Sequence, residues 1–89
     1  MDGRFKIEKF RKKIDRIDSQ LVSLLIARRN LAQKIGIIKQ KSSIPIEDSN
    51  RELAIIHRIQ QLAFPPLSPS IIERIWREIF LICREVQQH

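Results

Sequence analysis

The sequence predicts an all-α fold of three helices in which the first helix is very long. All four prolines lie in two places, at residue 45 and within residues 65–69, and they divide the chain into three segments. Within each segment the apolar residues recur at intervals of three and four, which is typical of an amphipathic helix. No segment shows a sustained alternation of apolar and polar residues, so we expect no sheet.

The first helix is predicted over about residues 5–41. Its apolar residues follow the a and d positions of a heptad, and nine of the ten positions are apolar. The two rows are Ile7, Ile14, Leu21, Arg28 and Ile35, and Phe10, Ile17, Leu24, Leu31 and Ile38. We call the nine apolar members the heptad stripe. Gly36 lowers the stability of this helix slightly compared with alanine. The close approach of another backbone would explain the glycine, although the glycine need have no function.

The second and third helices are predicted over about residues 49–63 and 69–88. Ser49 and Glu52 match a capping box at the start of the second helix. Ser68 is the expected N-cap of the third helix, with Pro69 at its first position. A chain of 89 residues with these elements is expected to form one domain, residues 1–89.

The length of the first helix predicts an intertwined, antiparallel homodimer. About 37 helical residues extend roughly 55 Å, whereas a compact chain of this size is only about 30 Å across. The heptad stripe therefore cannot be covered by its own chain, and a second copy is the simplest cover. A kinked or broken first helix is the alternative, but no proline lies between residues 1 and 44.

The composition limits which classes of function are possible for this chain. The net charge is +7, and seven of the 17 basic residues lie between Arg4 and Arg16, which suits nucleic acid, a small anion or only a solvated face. Cys83 is the single cysteine, so no intrachain disulfide is possible and no metal-ligand cluster accompanies it. With no signal-like or membrane-spanning stretch, we expect a cytoplasmic protein without metal or cofactor.

Arg28 is the one polar residue in the two heptad rows. A guanidinium keeps its charge, so it must reach water, pair with an acid such as Asp18 or Glu52, or hold an anion. Lys39 follows 11 residues later on the same helix face, within reach of the same small ligand. Arg11 lies about 25 Å before Arg28 along the helix and can approach that ligand only from a second, antiparallel chain. Considered individually, Arg11 and Lys39 are also consistent with ordinary charged residues on the protein surface.

Two further groups are candidate site residues. Asp48, Arg51 and Glu52 share a face at the start of the second helix. They fit either helix capping with a surface ion-pair cluster, or a clamp for a hydroxylated anion. Gln87 lies four residues after Cys83 and on the same face, where a frayed polar terminus is the plainer interpretation.

With these residues assembled, the chain resembles the all-helical, type II chorismate mutases from Phe10 to Gln87. The resemblance lies in three blocks of sequence. Each block alone is a weak signal, but all three in this order are a strong signal. The first block is Arg11–Asp18, then Leu24-Leu25, Arg28-Arg29, Leu31-Ala32, Ile35-Gly36 and Lys39; the second is Pro45–Glu52; the third runs from Leu67-Ser68-Pro69 through Ile75-Trp76 to Cys83–Gln87.

The resemblance implies that the substrate is chorismate, which rearranges to prephenate in aromatic amino acid biosynthesis, the shikimate pathway. It implies that Arg28, with Arg11 from the other protomer, grips the two carboxylates. Lys39 and Gln87 would donate to the ether oxygen that gains negative charge, so Arg28, Lys39 and Gln87 are the expected catalytic residues. A unimolecular rearrangement needs a rigid cationic pocket and no nucleophile.

The resemblance also implies roles for the start of the second helix. Glu52 would hold the ring hydroxyl, while Asp48 and Arg51 would line the pocket. The family commonly has Ser where this chain has Cys83, whose thiol is a weaker donor. We therefore expect at most somewhat poorer substrate binding, and Cys83 fits a core position equally well.

Three alternative functions are also compatible with the sequence. An isochorismate pyruvate lyase has a similar fold and cationic grip, and Glu52 is the residue that favours the mutase over it. A basic helical dimer that binds nucleic acid is supported by the Arg4–Arg16 cluster with Phe5 and Phe10. Against it, Phe10 belongs to the heptad stripe, and no nucleic-acid motif accompanies the cluster. The third alternative is a regulatory or partner-activated subunit. The complete set of site residues argues against it.

Overall fold

The computed structural model describes residues 2–88 as three α-helices. Helix α1 spans Gly3–Lys41, α2 spans Ser49–Ala63 and α3 spans Pro69–Gln88. The predicted fold class, all-α with three helices and a long first helix, is confirmed. Met1 and His89, which the predicted domain of residues 1–89 includes, lie outside the described residues.

Polar side chains mark where α1 and α3 begin. The carboxylate of Asp2 accepts a hydrogen bond from the backbone N–H of Arg4 at 2.9 Å, so α1 begins at Gly3, two residues before the predicted position. Ser68 accepts from the N–H of Ile71 at 3.4 Å directly before α3. Each of these side chains satisfies an N–H that has no partner within its helix.

The capping of α2, and not its start at Ser49, differs from the prediction. Asp48 is the N-cap, and its carboxylate accepts from the N–H of Arg51 at 3.0 Å. Ser49 is already the first helical residue, so the predicted capping box of Ser49 and Glu52 is wrong. The physical reason is competition, because the Glu52 carboxylate is held by Arg84 of α3 instead of reaching back along its own helix.

Helix α3 packs against both other helices and so organises the chain. Its Phe80 forms a buried cluster with Ile55 and Ile56 of α2. On α1 the buried residues are Ala32 and Gly36, which lie near its C-terminal end. The core therefore lies at one end of α1, and the N-terminal half of that helix extends beyond it.

The chain is elongated, and its heptad stripe is uncovered. The principal extents are 63 × 25 × 15 Å, and the radius of gyration is 17.3 Å, compared with about 12 Å for a compact chain of this length. Every member of the stripe keeps between 49% and 67% of its surface exposed. A single chain thus leaves a long apolar surface in water. Among residues 2–88, none of the helices has both the length and the apolar character needed to cross a bilayer.

Candidate active site

A cavity of about 430 Å³ lies where the C-terminal part of α1, the start of α2 and the end of α3 meet. Its size is typical of small-molecule sites, which enclose about 300–1,000 Å³. Its walls come from all three helices and from the loop before α2. The lining residues are Arg28, Leu31, Ala32, Ile35, Lys39, Ile46, Asp48, Arg51, Glu52, Ile55, Phe80, Cys83, Arg84 and Gln87.

The cavity brings together seven of the eight site residues predicted from the sequence. These are Arg28, Lys39, Asp48, Arg51, Glu52, Cys83 and Gln87. Four lining side chains are cationic and two are carboxylates, which leaves a formal charge of +2 on the lining. Apolar side chains complete the walls, so the charged groups line a partly apolar cavity. Such a lining favours a small anion over a neutral ligand.

Arg28 is half-buried, and its surroundings leave it without an acidic partner. Its Nη1 donates to Cys83 Sγ at 2.9 Å, and its guanidinium carbon lies 5.8 Å from the centre of the Phe80 ring. Within residues 2–88 neither Asp18 nor Glu52 pairs with Arg28, so the internal ion pair considered from the sequence is not formed. A guanidinium has five N–H donors, and most of them here are available to an anion.

The loop after α1 orients Lys39. Ser43 adopts a positive φ of 55°, and the N–H of Ile44 donates back to the Lys39 carbonyl at 2.8 Å. Pro45 then prevents the helix from resuming, and Lys39 Nζ donates to the Ile46 carbonyl at 2.9 Å. An ammonium has three donors, so two N–H groups of Lys39 remain for a ligand.

Gln87 reaches the cavity from the last turn of α3. Its Nε2 donates to the Ala32 carbonyl of α1 at 3.1 Å, which anchors the amide near the cavity. The amide has a second N–H, which can donate to a bound molecule. The position is half-buried and hydrogen-bonded, so Gln87 is not a frayed terminal residue.

The Glu52 carboxylate is held by two arginines of α3 that sequence reasoning did not select. Arg84 Nη2 lies 2.6 Å from Oε1 and 2.8 Å from Oε2, and Arg84 Nε lies 3.1 Å from Oε2. Arg77 Nη1 lies farther away, at 3.7 Å from Oε1. The hydrogen bonds to Glu52 raise the pKa of Arg84. One signal was available, because Arg84 precedes Gln87 by three residues and therefore shares its helix face.

Arg11 is the one predicted site residue that the cavity does not include. It is exposed on the N-terminal part of α1, where its Nη1 pairs with Glu8 Oε1 at 2.7 Å. Within residues 2–88, no three His, Cys, Asp or Glu side chains are arranged to hold a metal ion.

A larger groove of about 870 Å³ runs along the outer surface of α3 between Ser70 and Glu78. Side chains of this one helix alone line it, so it has a single wall and encloses nothing. The cavity between the three helices is the better candidate site, because it combines enclosure with converging charge.

The fold and the cavity define an all-α protein whose cationic cavity suits a small, polar anion. The family model for chorismate mutase type II matches residues 10–88. The chain therefore belongs to the chorismate mutase type II family. Mutases are isomerases, so the enzyme class expected from the sequence is confirmed at the level of the family.

Individual proteins show the same similarity. The chain is 38% identical over 80 residues to a chorismate mutase of Methanocaldococcus jannaschii, covering 90% of this chain and 78% of that protein. It is 34% identical over 90 residues to a bifunctional chorismate mutase/prephenate dehydratase of Aquifex aeolicus, covering 93% of this chain. It spans only 24% of the length of that relative.

A solved structure shows the same fold. The structure of chorismate mutase (Form II) from Thermus thermophilus matches this chain with a TM-score of 0.91 and 25% sequence identity. The match covers 94% of this chain and 96% of that chain. The long α1 and its two partner helices are thus the arrangement of that protein as well.

Proposed function

We propose that this chain is a single chorismate mutase domain that converts chorismate to prephenate in aromatic amino acid biosynthesis. One observation carries the proposal: the cavity gathers seven residues that the family resemblance predicts, with a net lining charge of +2. Chorismate is a dianion, so its charge complements the lining. The reaction is unimolecular, since one ether C–O bond breaks while one C–C bond forms within the same molecule.

The first task of the site is to select the compact conformer in which the reacting carbons meet. Arg28 would bind one substrate carboxylate through the N–H donors that Cys83 does not occupy. Arg51 lines the cavity from the start of α2 and would help orient the other polar groups beside Asp48. Holding both ends of a flexible dianion lowers the entropic part of the barrier.

The second task is to stabilise the charge that develops on the ether oxygen as the C–O bond breaks. Lys39 would donate one of its two remaining N–H groups, and Gln87 would donate its second amide N–H. Both donors are already anchored to backbone carbonyls, so little reorganisation is needed at the transition state. A preorganised donor of this kind contributes about 3–4 kcal/mol.

Glu52 is the residue that favours the mutase over an isochorismate pyruvate lyase. Glu52 lines the cavity, and its carboxylate has acceptor positions beyond those that Arg84 uses, so it can accept a hydrogen bond from the ring hydroxyl of chorismate. A lyase need not hold a hydroxyl at that position. The half-buried placement of Glu52 within a cationic site supports a specific acceptor role over a surface ion pair.

The exposed heptad stripe supports an antiparallel homodimer in which α1 of each chain covers the other. In that arrangement Arg11 of the second protomer would approach the cavity of the first, which explains why Arg11 is absent from the cavity of one chain. Each dimer would then contain two identical sites, each built from both chains.

The direct test is to incubate the purified chain separately with chorismate and with isochorismate, and to identify the products by NMR. We expect prephenate from chorismate and no rapid release of pyruvate from isochorismate. Loss of chorismate without prephenate would contradict the proposal. Tight, salt-dependent binding to a DNA duplex at physiological ionic strength would instead favour the nucleic-acid alternative.

A further inference from the structure

The ion pair between Glu52 and Arg84 joins α2 to α3 at the wall of the cavity. Three nitrogen–oxygen distances of 2.6, 2.8 and 3.1 Å connect one guanidinium to both oxygens of one carboxylate. The Glu52 side chain is only 13% exposed. A guanidinium that donates to both oxygens fixes the plane of the carboxylate as well as its position.

The contacts of Glu52 leave capacity for a ligand. A carboxylate offers about four acceptor positions, and Arg84 approaches it from one side only, through Nε and Nη2. The Glu52 carboxylate also lines the cavity. A hydroxyl in the cavity can therefore donate to Glu52 without displacing Arg84.

Because Arg77 also lies near Glu52, the orientation of the Glu52 carboxylate depends on Arg84. Arg77 Nη1 lies 3.7 Å from Glu52 Oε1, and the Arg77 side chain is 43% exposed, against 30% for Arg84. Arg84 lines the cavity, whereas Arg77 does not. Without Arg84, the attraction of Arg77 would act alone and would draw the carboxylate away from the cavity.

We propose that Arg84 is a positioning residue that holds Glu52 in the orientation needed to accept the substrate's ring hydroxyl. Arg84 thereby contributes to selection for a hydroxylated ring, although it does not itself bind that hydroxyl. This inference rests on the proposed function. It assigns the two arginines beside Glu52 different roles, since Arg84 orients the acid and Arg77 only adds positive charge outside the cavity.

The test compares Arg84→Met with Arg77→Met, which are matched because both remove a guanidinium near Glu52 from the same helix. We expect Arg84→Met to raise KM for chorismate about 10-fold, the usual cost of losing a hydrogen bond to a charged group, with kcat within about 3-fold. Arg77→Met should change KM by less than about 2-fold. Arg84→Lys, which restores the charge without the planar fork, should recover part of the affinity.

A double-mutant cycle separates positioning from a general structural role. If Arg84 acts through Glu52, then Arg84→Met should add less than about 2-fold to the loss in kcat/KM caused by Glu52→Gln alone. If Arg84→Met does not fold, Arg84→Lys in the same two backgrounds provides the comparison. Multiplicative losses in the double variant, or equal effects of Arg84→Met and Arg77→Met, would overturn the inference.

Failure of the proposed function and failure of the role of Arg84 give different results. An inactive wild-type chain would overturn the proposed function and this inference with it. An active wild-type chain whose KM is unaffected by Arg84→Met would overturn the role of Arg84 alone. Circular dichroism and thermal unfolding at a fixed protomer concentration show which variants are folded.

Discussion

Helices α1 and α3 meet backbone to backbone where Gly36 faces Gln87. A Cβ added to Gly36 would lie 2.8 Å from the Cα of Gln87 and 2.9 Å from its Cβ, closer than such atoms approach in proteins. The glycine is therefore explained by the close approach of another backbone. The same contact brings the Gln87 amide to the Ala32 carbonyl, one helical turn before Gly36, so the packing of a glycine sets the position of a site residue.

Gly36→Ala is expected to destabilise the fold and to impair activity together. Forcing two backbones apart costs about 1–3 kcal/mol, which matches or exceeds the gain in helix propensity of about 1 kcal/mol. The shift would also move Gln87, so kcat should fall about 10-fold or more as its donor leaves the ether oxygen. Thermal unfolding and a chorismate assay measure the two effects.

Gly3→Ala is the matched control, because a Cβ there would meet nothing within 4 Å. It should change the free energy of unfolding by less than about 0.5 kcal/mol and leave kcat unchanged. If both glycine variants behave alike, the close contact of α1 with α3 does not position Gln87.

Removal of either central cation should abolish most activity while leaving the chain folded. Under the proposed function, Arg28→Ala removes the group that binds a substrate carboxylate and Lys39→Ala removes a donor to the ether oxygen, so each should lower kcat/KM at least about 100-fold. Neither residue is fully buried, and their loss should leave the core of α2 and α3 intact. Steady-state kinetics and circular dichroism check both statements.

Arg29→Ala serves as the control for charge on α1. Arg29 is exposed and donates to the neighbouring Asn30 at 3.1 Å, outside the cavity. Its removal should change kcat/KM by less than about 2-fold. Comparable losses in Arg28→Ala and Arg29→Ala would mean that net charge, and not the site, governs the rate.

The sequence could predict what depends on local spacing. The apolar period and the two groups of prolines determine three helices, and the spacing of Arg28 from Lys39 places both on one face of α1. These features depend on the geometry of a single helix, so they can be predicted without knowing how the helices pack together.

The partners of Glu52 could not be predicted, because packing between distant segments decides them. From the sequence, the expected protein partners of Glu52 were its own helix N-terminus, Arg51 and Arg28. Arg84, 32 residues away, takes the carboxylate. Among residues 2–88 this pairing leaves Asp48 as the cap of α2 and Arg28 without an acidic partner.

Cys83→Ser should strengthen substrate binding. Cys83 Sγ accepts from Arg28 Nη1 at 2.9 Å and lines the cavity, where a hydroxyl would be a stronger donor to a substrate carboxylate than a thiol. We expect KM for chorismate to fall about 2- to 5-fold with kcat within about 2-fold, because the contact exists in both ground and transition states.

Cys83→Ala tests the same contact in the opposite direction. It removes the partner of Arg28 and any donor to the substrate, so KM should rise, measured by the same steady-state assay. Identical KM values for the serine and alanine variants would indicate that position 83 contributes only to packing.

Mixing inactive variants tests whether each site is shared between two chains. In an antiparallel dimer of one Arg11→Ala chain and one Arg28→Ala chain, one site keeps both arginines and the other loses both. After unfolding and refolding together, half of the chains form such hybrids, so about a quarter of wild-type activity should return. A mixture of Arg28→Ala with Lys39→Ala is the control, because both residues belong to the cavity of one chain and no hybrid site is complete. Recovery in the control, or none in the first mixture, would contradict a site built from two protomers.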